Sequence, residues 1–456
     1  MPPKITIIGG GIGGLALAIG LLRRRIPVQI YEAAPAFTEI GLGLSLGPAA
    51  YRAMPRLDPR IASIYDSLVT THADSPGFEE YAQTWFELVW ACGECEGEVL
   101  MDLKALPSGQ TAVRRADFLN ALVALVPPDI VHFGKRCVGI REVGDGDGGV
   151  ECSFADGEVV LADVVVGCDG IKSRVKEFVV PGLVVGPRYS GMYGYRAVLG
   201  MEEMVDAVGE KRARVSTLYM GKGCYAISYP IMRAQMVNVG IYVLSEKWED
   251  KRWVRPAKRE DMLRDTEGMG RYVQALVEVC AILKALNVTV LSLPSQHMPD
   301  PSQWAIFEHP HIPTYARSRV AIMGDAAHAS TPHQGAGAGQ AIEDAHVLAE
   351  LLSNDRVKSA HDVVSALKAF DDIRRPRCQR VVTTSKENAD LLCLSFEGVG
   401  DDADRLKKTF NERLRWLWDL DVEEQVERAK ERMFEYLDAE NLLYESEMHS
   451  KPVPEH

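Results

Sequence analysis

Three groups of residues in this chain have the types and spacing for chemistry. The first is Gly9-Gly10-Gly11-Ile12-Gly13-Gly14, where Gly9, Gly11 and Gly14 fit the dinucleotide spacing G-x-G-x-x-G. In that pattern Gly9 allows a tight turn, Gly11 lets backbone approach a pyrophosphate, and Gly14 lets a helix pack on a strand. The second is a pair of carboxylates, Asp169 and Asp325, each closing an apolar run (Val164 to Cys168 and Val320 to Gly324). A carboxylate at the carboxyl end of a parallel strand sits where open α/β sheets take their ligands, so Asp325 can accept a hydroxyl of a cofactor chain. The third is Thr331-Pro332-His333-Gln334-Gly335-Ala336-Gly337-Ala338-Gly339. Small residues at a helix start leave free amides and the positive dipole end open to an anionic partner, such as the pyrimidine edge of a reduced flavin.

These groups need elements to position them. Ile5 to Ile8 is apolar on both faces and reads as a buried parallel strand. Leu15 to Leu22 reads as an apolar helix ending in Arg23, Arg24 and Arg25, cations suited to the negative end of its dipole. Pro27 breaks it, and Val28 to Tyr31 resumes as a strand closed by Glu32, eighteen residues past Gly14 and placed to accept both hydroxyls of an adenosine ribose. This βαβ unit leaves NAD and FAD both open. Ala162 to Gly167 and Arg319 to Met323 read as further buried strands, and 340 to 352 as a helix with one apolar face. Arg136 to Glu142 and Val150 to Val160 read as hairpin strands. Gly194 to Val198, Cys224 to Tyr229 and Met236 to Val243 alternate, which predicts an antiparallel sheet with one covered face. From about 400 the chain is charge-dense and helical, with the pattern of solvated packing helices.

Composition bounds the remaining possibilities. At 456 residues, 46% hydrophobic and 25% charged, the chain is globular with two or three domains. Its formal charge of −13 excludes an extended nucleic-acid surface while allowing a local anion pocket. Nine dispersed cysteines, with only Cys92-x-x-Cys95 paired, predict ordinary thiols in a reducing compartment and no metal. No signal sequence or membrane span is read, so a cytoplasmic location is expected. No Gly-x-Ser-x-Gly elbow supports a Ser-His-Asp site.

With these motifs together, the chain resembles the FAD-dependent group A aromatic monooxygenases, within them the fungal salicylate-hydroxylase-like branch. The resemblance is carried by Gly9 to Gly14 with Glu32, the Glu39 to Gly43 turn, Arg114 to Leu119, Asp169-Gly170 with Ser173 and Arg174, and Gly324 to Ala345. Arg415-Trp416-Leu417-Trp418-Asp419 also looks like that branch. It implies an α/β aromatic-hydroxylase fold: a discontinuous Rossmann-like FAD-binding domain (1–75, 100–185 and 300–390), an antiparallel β-sheet substrate domain (76–99 and 186–299), and a C-terminal helical tail (391–456). It further implies tightly but non-covalently bound FAD contacted by Glu32, Ser45, Arg115, Asp325 and Ala338, with Pro332 and Gly337 near the isoalloxazine. Asp169 falls in the motif tied to both FAD and NAD(P)H. NADH or NADPH would be co-substrate, with a small aromatic and O2 as partners of a monomer or homodimer.

The chemistry implied is hydroxylation by a flavin C4a-hydroperoxide of an electron-rich ring, with the cofactor carrying the hard step. The protein must exclude water, place the ring and favour the phenolate, and a phenol with pKa near 10 needs a cation or base for that. Arg196, mid-strand in an apolar segment, is the first candidate cation. Tyr229 on a neighbouring strand is placed to hydrogen-bond the same oxygen, and by resemblance such an Arg and Tyr occur in relatives that dearomatise polyketide phenols. His333 is the candidate for pocket polarity or proton exchange, and His328 is expected to be structural. The alternatives are oxidative dearomatisation of a larger phenol and, from another class, a non-catalytic FAD-binding interaction protein.

Overall fold

The computed structural model describes residues 3–37, 43–144, 148–183, 186–286 and 301–450, so Glu39 to Leu42 of the motif turn lie outside the described residues. The chain opens with β1 (Ile5–Ile8), α1 (Ile12–Arg23) and β2 (Val28–Tyr31). Next come β3 (Gly43–Ser45), α2 (Pro48–Leu57), α3 (Pro59–Leu68), β4 (Thr84–Trp90), β5 (Val99–Lys104), β6 (Ala112–Arg114), α4 (Arg115–Val123) and β7 (Val131–His132). A meander of β8 (Cys137–Val143), β9 (Gly149–Phe154) and β10 (Val159–Ala162) leads to β11 (Val164–Gly167) and α5 (Val175–Val179). The middle holds β12 (Arg188–Gly200), α6 (Met201–Val208), α7 (Glu210–Arg214), β13 (Thr217–Gly221), β14 (Cys224–Ile231), β15 (Met236–Leu244), β16 (Val254–Pro256), α8 (Arg259–Asp265) and α9 (Arg271–Leu286). The chain returns through β17 (Ser302–Glu308), β18 (Ala316–Arg317), β19 (Val320–Ile322), α10 (Asp325–His328) and α11 (Gly337–Leu352). It ends with α12 (Ala360–Leu392), α13 (Ala403–Trp418) and α14 (Val422–Ser450).

A six-stranded sheet runs β18-β19-β11-β1-β2-β7 and is parallel apart from β18. All four residues of β1 are buried because it sits between β2 and β11 with helices on both faces. Nine of the twelve residues of α1 are buried, which explains its apolar character all round. The chain leaves β1 first toward β2 and later toward β11, so the strand order reverses at β1. That reversal opens a crevice at the carboxyl ends of the strands, between Gly9 and Asp169.

The second sheet has eight strands, β16-β17-β12-β15-β14-β13-β4-β5, antiparallel except for β13 beside β4. The sequence predicts one covered face; the structure covers both. Val237, Val239, Ile241 and Val243 of β15 pack with α6, α8 and α9, while Met236 and Tyr242 pack with β4, the glycine loop and α13. The second cover comes from distant chain, which local alternation does not report. β5 and β17 belong to this sheet. The sheet therefore takes residues from both sides of positions 100 and 300, up to Lys104 and Glu308, where these strands end. Helix α13 buries Leu406, Phe410, Leu414, Leu417 and Trp418, and α14 buries Val422, Val426, Ala429, Met433 and Leu437, one stripe each. Among the described residues no helix is long and apolar enough to cross a membrane.

Candidate functional site

The glycine turn after β1 divides its labour. Gly9 has φ +108°, and a Cβ there would lie 2.4 Å from the Cys168 carbonyl oxygen. A Cβ on Gly14 would lie 2.1 Å from the Gly9 carbonyl, so α1 reaches the strand only without a side chain at that position. A Cβ on Gly11 would meet nothing within 4 Å. Two of the glycines thus serve the fold, and the third borders open space at an α1 N-terminus that no side chain caps.

Around that space stand the predicted acids. The Glu32 carboxylate accepts the Gly10 amide at 2.6 Å and the Ala34 amide at 2.8 Å, tying the glycine turn to the end of β2. Asp169 Oδ2 accepts the Arg174 amide at 2.7 Å, while its Oδ1 is buried without a partner among the described residues. Burial raises the Asp169 pKa, and hydrogen bonds from Ser173 and the Arg174 and Val175 amides oppose that rise. A cavity of about 860 Å³ lies between them, lined by Gly9, Glu32, Asp169, Lys172, Arg174 and Lys176 among others. An uncapped helix start, an orphaned oxygen and a cationic rim fit the adenosine and phosphate end of a dinucleotide.

The other FAD candidates lie along the remaining glycine loop and the β3–β6 ribbon. Asp325 heads α10, exposed, its carboxylate without a hydrogen bond to another described residue. Pro332 and Gly335 are exposed, and Gly337 and Ala338, half-buried, begin α11, three residues earlier than the helix start predicted at 340. Ser45 Oγ, on β3, accepts from Gln110 at 3.2 Å and lies opposite Ala112 of β6, while Arg115, the first residue of α4, follows Arg114 at the Gly43 end of that ribbon.

A buried ion network fixes α11 under this loop. Arg374, fully buried on α12, donates to Asp344 at 2.7 Å, Glu343 at 2.8 Å and Gln340 Oε1 at 2.9 Å. Asp344 also meets His328 Nε2 at 2.6 Å and accepts the Gly324 amide at 2.9 Å. Burial alone would raise the Asp344 pKa, but the charges of His328 and Arg374 hold it well below the carboxylate range. His328, Asp344 and Cys378 have metal-like proximity. The Arg374 guanidinium already supplies the cation there, 3.4 Å from Cys378 Sγ.

The eight-stranded sheet turns a polar aromatic face toward the loop. Arg196 on β12 lies opposite Gly240, Tyr225 opposite Tyr242, and Tyr229 opposite Asn238. Arg196 is half-buried over the Trp304 ring at 5.7 Å, and its guanidinium has no ion pair or hydrogen bond with another described residue. Burial raises the pKa of Tyr225 and Tyr229, opposed in both by the Arg196 charge, so both are neutral donors at neutral pH. His333 is buried, with Nδ1 2.6 Å from the Tyr225 hydroxyl and its ring edge-on to Tyr242 at 5.4 Å. Burial pushes its pKa down to about 3, so the imidazole is neutral. A phenol O–H is the stronger donor of the pair, which assigns acceptance to Nδ1 and the proton to Nε2. That Nε2 is buried with no partner among the described residues.

Sequence reasoning brings Arg196, Tyr229 and His333 into view but misses Tyr225, Tyr242 and Trp304. Tyr225 lies four residues before Tyr229 on the same strand face, a signal available in the period-two pattern. Its pairing with His333, 108 residues away, has no sequence signal.

The FAD binding domain family matches residues 294–385. A 6-methylsalicylate 1-monooxygenase of Aspergillus terreus is 37% identical over 99% of this chain and 97% of its own length. A salicylate hydroxylase of Pseudomonas putida is 35% identical over 94% of this chain and 95% of its own. A solved salicylate hydroxylase substrate complex matches with a TM-score of 0.80 and 30% identity, covering 94% of this chain and 98% of that one.

Proposed function

Because the chain belongs to the FAD-dependent aromatic monooxygenases of the salicylate-hydroxylase type, we propose that its substrate is a small phenolic carboxylate. The ring lies on the inner face of the eight-stranded sheet, between Arg196 and the Tyr225–His333 pair. FAD reduced by NADH or NADPH supplies the activated oxygen. Gly9, Gly11, Gly14, Glu32 and Asp169 hold its adenosine and phosphate end; Ser45, Arg115, Asp325, Pro332, Gly337 and Ala338 hold the ribityl chain and ring system.

The observation that carries this reading is a half-buried guanidinium, Arg196, held only over the Trp304 ring, and a buried His333 Nε2, both without a hydrogen-bond partner among the described residues on one aromatic face. An ortho-hydroxycarboxylate offers two adjacent oxygens to such a pair. A unit charge at about 4 Å and an effective dielectric near 20 contributes about 4 kcal/mol, or about 3 pKa units. That brings a simple phenol from about 10 to near neutrality and offsets the rise that an adjacent carboxylate imposes on an ortho-hydroxyl, and the phenolate activates the ortho and para carbons. Tyr229, within the field of Arg196, supports a second reading, dearomatisation of a larger phenol. The nine free cysteines suit a reducing compartment such as the cytoplasm, for a monomer or homodimer.

The test is NADH and NADPH consumption by the FAD-loaded protein with salicylate, 6-methylsalicylate and bicyclic phenols. Catechol with CO2 release from salicylate supports the first reading, and a dearomatised ketone supports the second. Bound FAD with no aromatic-stimulated oxygen use would leave only the non-catalytic interaction protein.

A further inference from the structure

Helix α13 ends in Arg415-Trp416-Leu417-Trp418-Asp419, and that end lies against the glycine loop. Trp418 is 7% exposed and packs edge-on against Trp85 of β4, ring centroids 5.3 Å apart. A Cβ on Gly335 would sit 3.7 Å from the Trp85 ring, and one on Gly47 only 3.1 Å from Trp418 Nε1. Trp418, Leu417, Gly335, Ala336 and Gly339 line a partly open pocket of about 20 Å³, room for about one water. Leu406, Phe410 and Leu414 of the same helix join the apolar cluster that holds Tyr225, Tyr229 and Tyr242.

The helix end is anchored from the FAD side. Its last carbonyls have no partner within the helix, and two arginines supply donors. Arg377 donates to the carbonyls of Trp416 at 3.3 Å and Leu417 at 2.9 Å, and Arg52 to those of Trp418 and, at 2.9 Å, Leu420. Arg377 also binds Glu343 of α11 at 2.7 Å, so one side chain joins α13 to the helix that begins at Gly337.

We propose that Trp418, backed by Trp85, is a shielding wall of the reaction chamber, keeping water from the flavin beside Gly335 to Gly339. Trp418 acts as a positioning residue, and the inference rests on the loop placement proposed above. In productive turnover one oxygen atom enters the ring and the other leaves as water. In the unproductive branch NAD(P)H, a proton and O2 give NAD(P)+ and H2O2, the two electrons passing to oxygen without hydroxylation. Opening the wall shifts flux to that branch.

The experiment uses the full FAD-loaded chain as Trp418→Ala, Trp418→Leu and Trp418→Phe, with an aromatic acid that the wild type turns over. It reads H2O2 released per NAD(P)H consumed and the fine structure of the visible flavin band, which sharpens in apolar surroundings. The expected result is a severalfold larger peroxide fraction and a blurred band in Ala and Leu with FAD retained, and near-wild-type values in Phe. Leu decides the matter if Ala does not fold. Unchanged peroxide yield and an unchanged band in a folded, FAD-loaded Leu variant would overturn the wall. If no aromatic stimulates the wild type, the functional reading fails instead, and the flavin band, which needs no turnover, still decides the wall.

Discussion

Mild acid should destabilise this protein sharply, through four buried imidazoles. His72, His309, His333 and His346 are each less than a tenth exposed, and burial pushes their pKa values down to about 4, 4, 3 and 4. In the unfolded chain each titrates near 6.5. Below that pH the unfolded state takes up protons that the folded state refuses, so stability falls until the folded pKa is reached. One pH unit below 6.5 costs about 1.4 kcal/mol per histidine, so four cost about 5–6 kcal/mol at pH 5.5. A typical total stability is about 5–15 kcal/mol. His328 runs the other way: burial would lower its pKa, but Cys378 and Asp344 raise it well above the ordinary value. Its contribution is nearly complete below pH 6.5 and is lost as pH rises through the folded pKa, so between pH 7 and 5.5 it offsets under about 1 kcal/mol of the acid loss. At about 2.1 cal/mol/K per residue, unfolding carries an entropy of about 1 kcal/mol/K, and Tm should fall about 5–6 °C between pH 7 and 5.5. Tryptophan-fluorescence melting of the FAD-loaded protein at constant ionic strength measures this. A Tm flat across that range, or an unchanged slope in the His309→Gln/His346→Gln double variant, would refute the reasoning.

The site makes sharper demands on single residues. Asp325→Ala should lose FAD while keeping the apoprotein fold, read as flavin absorbance per protein; a fully yellow variant counts against the assignment. Arg196→Ala should keep FAD but lower kcat/KM at neutral pH by up to about 10³, with the rate recovering as pH approaches the free phenol's pKa. Unchanged turnover removes it from the site. Gly14→Ala overpacks the turn, at a cost of about 1–3 kcal/mol, and should lower the apoprotein Tm. Gly11→Ala has space for its methyl and should leave that Tm intact while weakening FAD binding; equal melting losses in the two would show that the glycines do not divide as described.

Much of the nucleotide-binding half was legible because its signals are local. Ile5 to Glu32 carries strand, turn, helix and second strand in one stretch, and a glycine forced to φ +108° leaves its mark in the residue type itself. Asp169 and Asp325 announce themselves by closing apolar runs, and the small residues of 335–339 by leaving backbone bare. The substrate half was legible only as strands. Periodicity reports that a face is buried and is silent on what buries it, so neither the α13 cover nor the membership of β5 and β17 in the sheet was visible. Nor was the pairing of Tyr225 with His333, or Arg374 holding Asp344 and Glu343 on a neighbouring helix, since hydrogen bonds between distant segments carry no spacing. The residue types of this chain marked a dinucleotide site, and the resemblance of its motifs to a known family implied the flavin. Only the tertiary structure decided which side chains face one another across the eight-stranded sheet, because that depends on the packing of segments that periodicity treats one at a time.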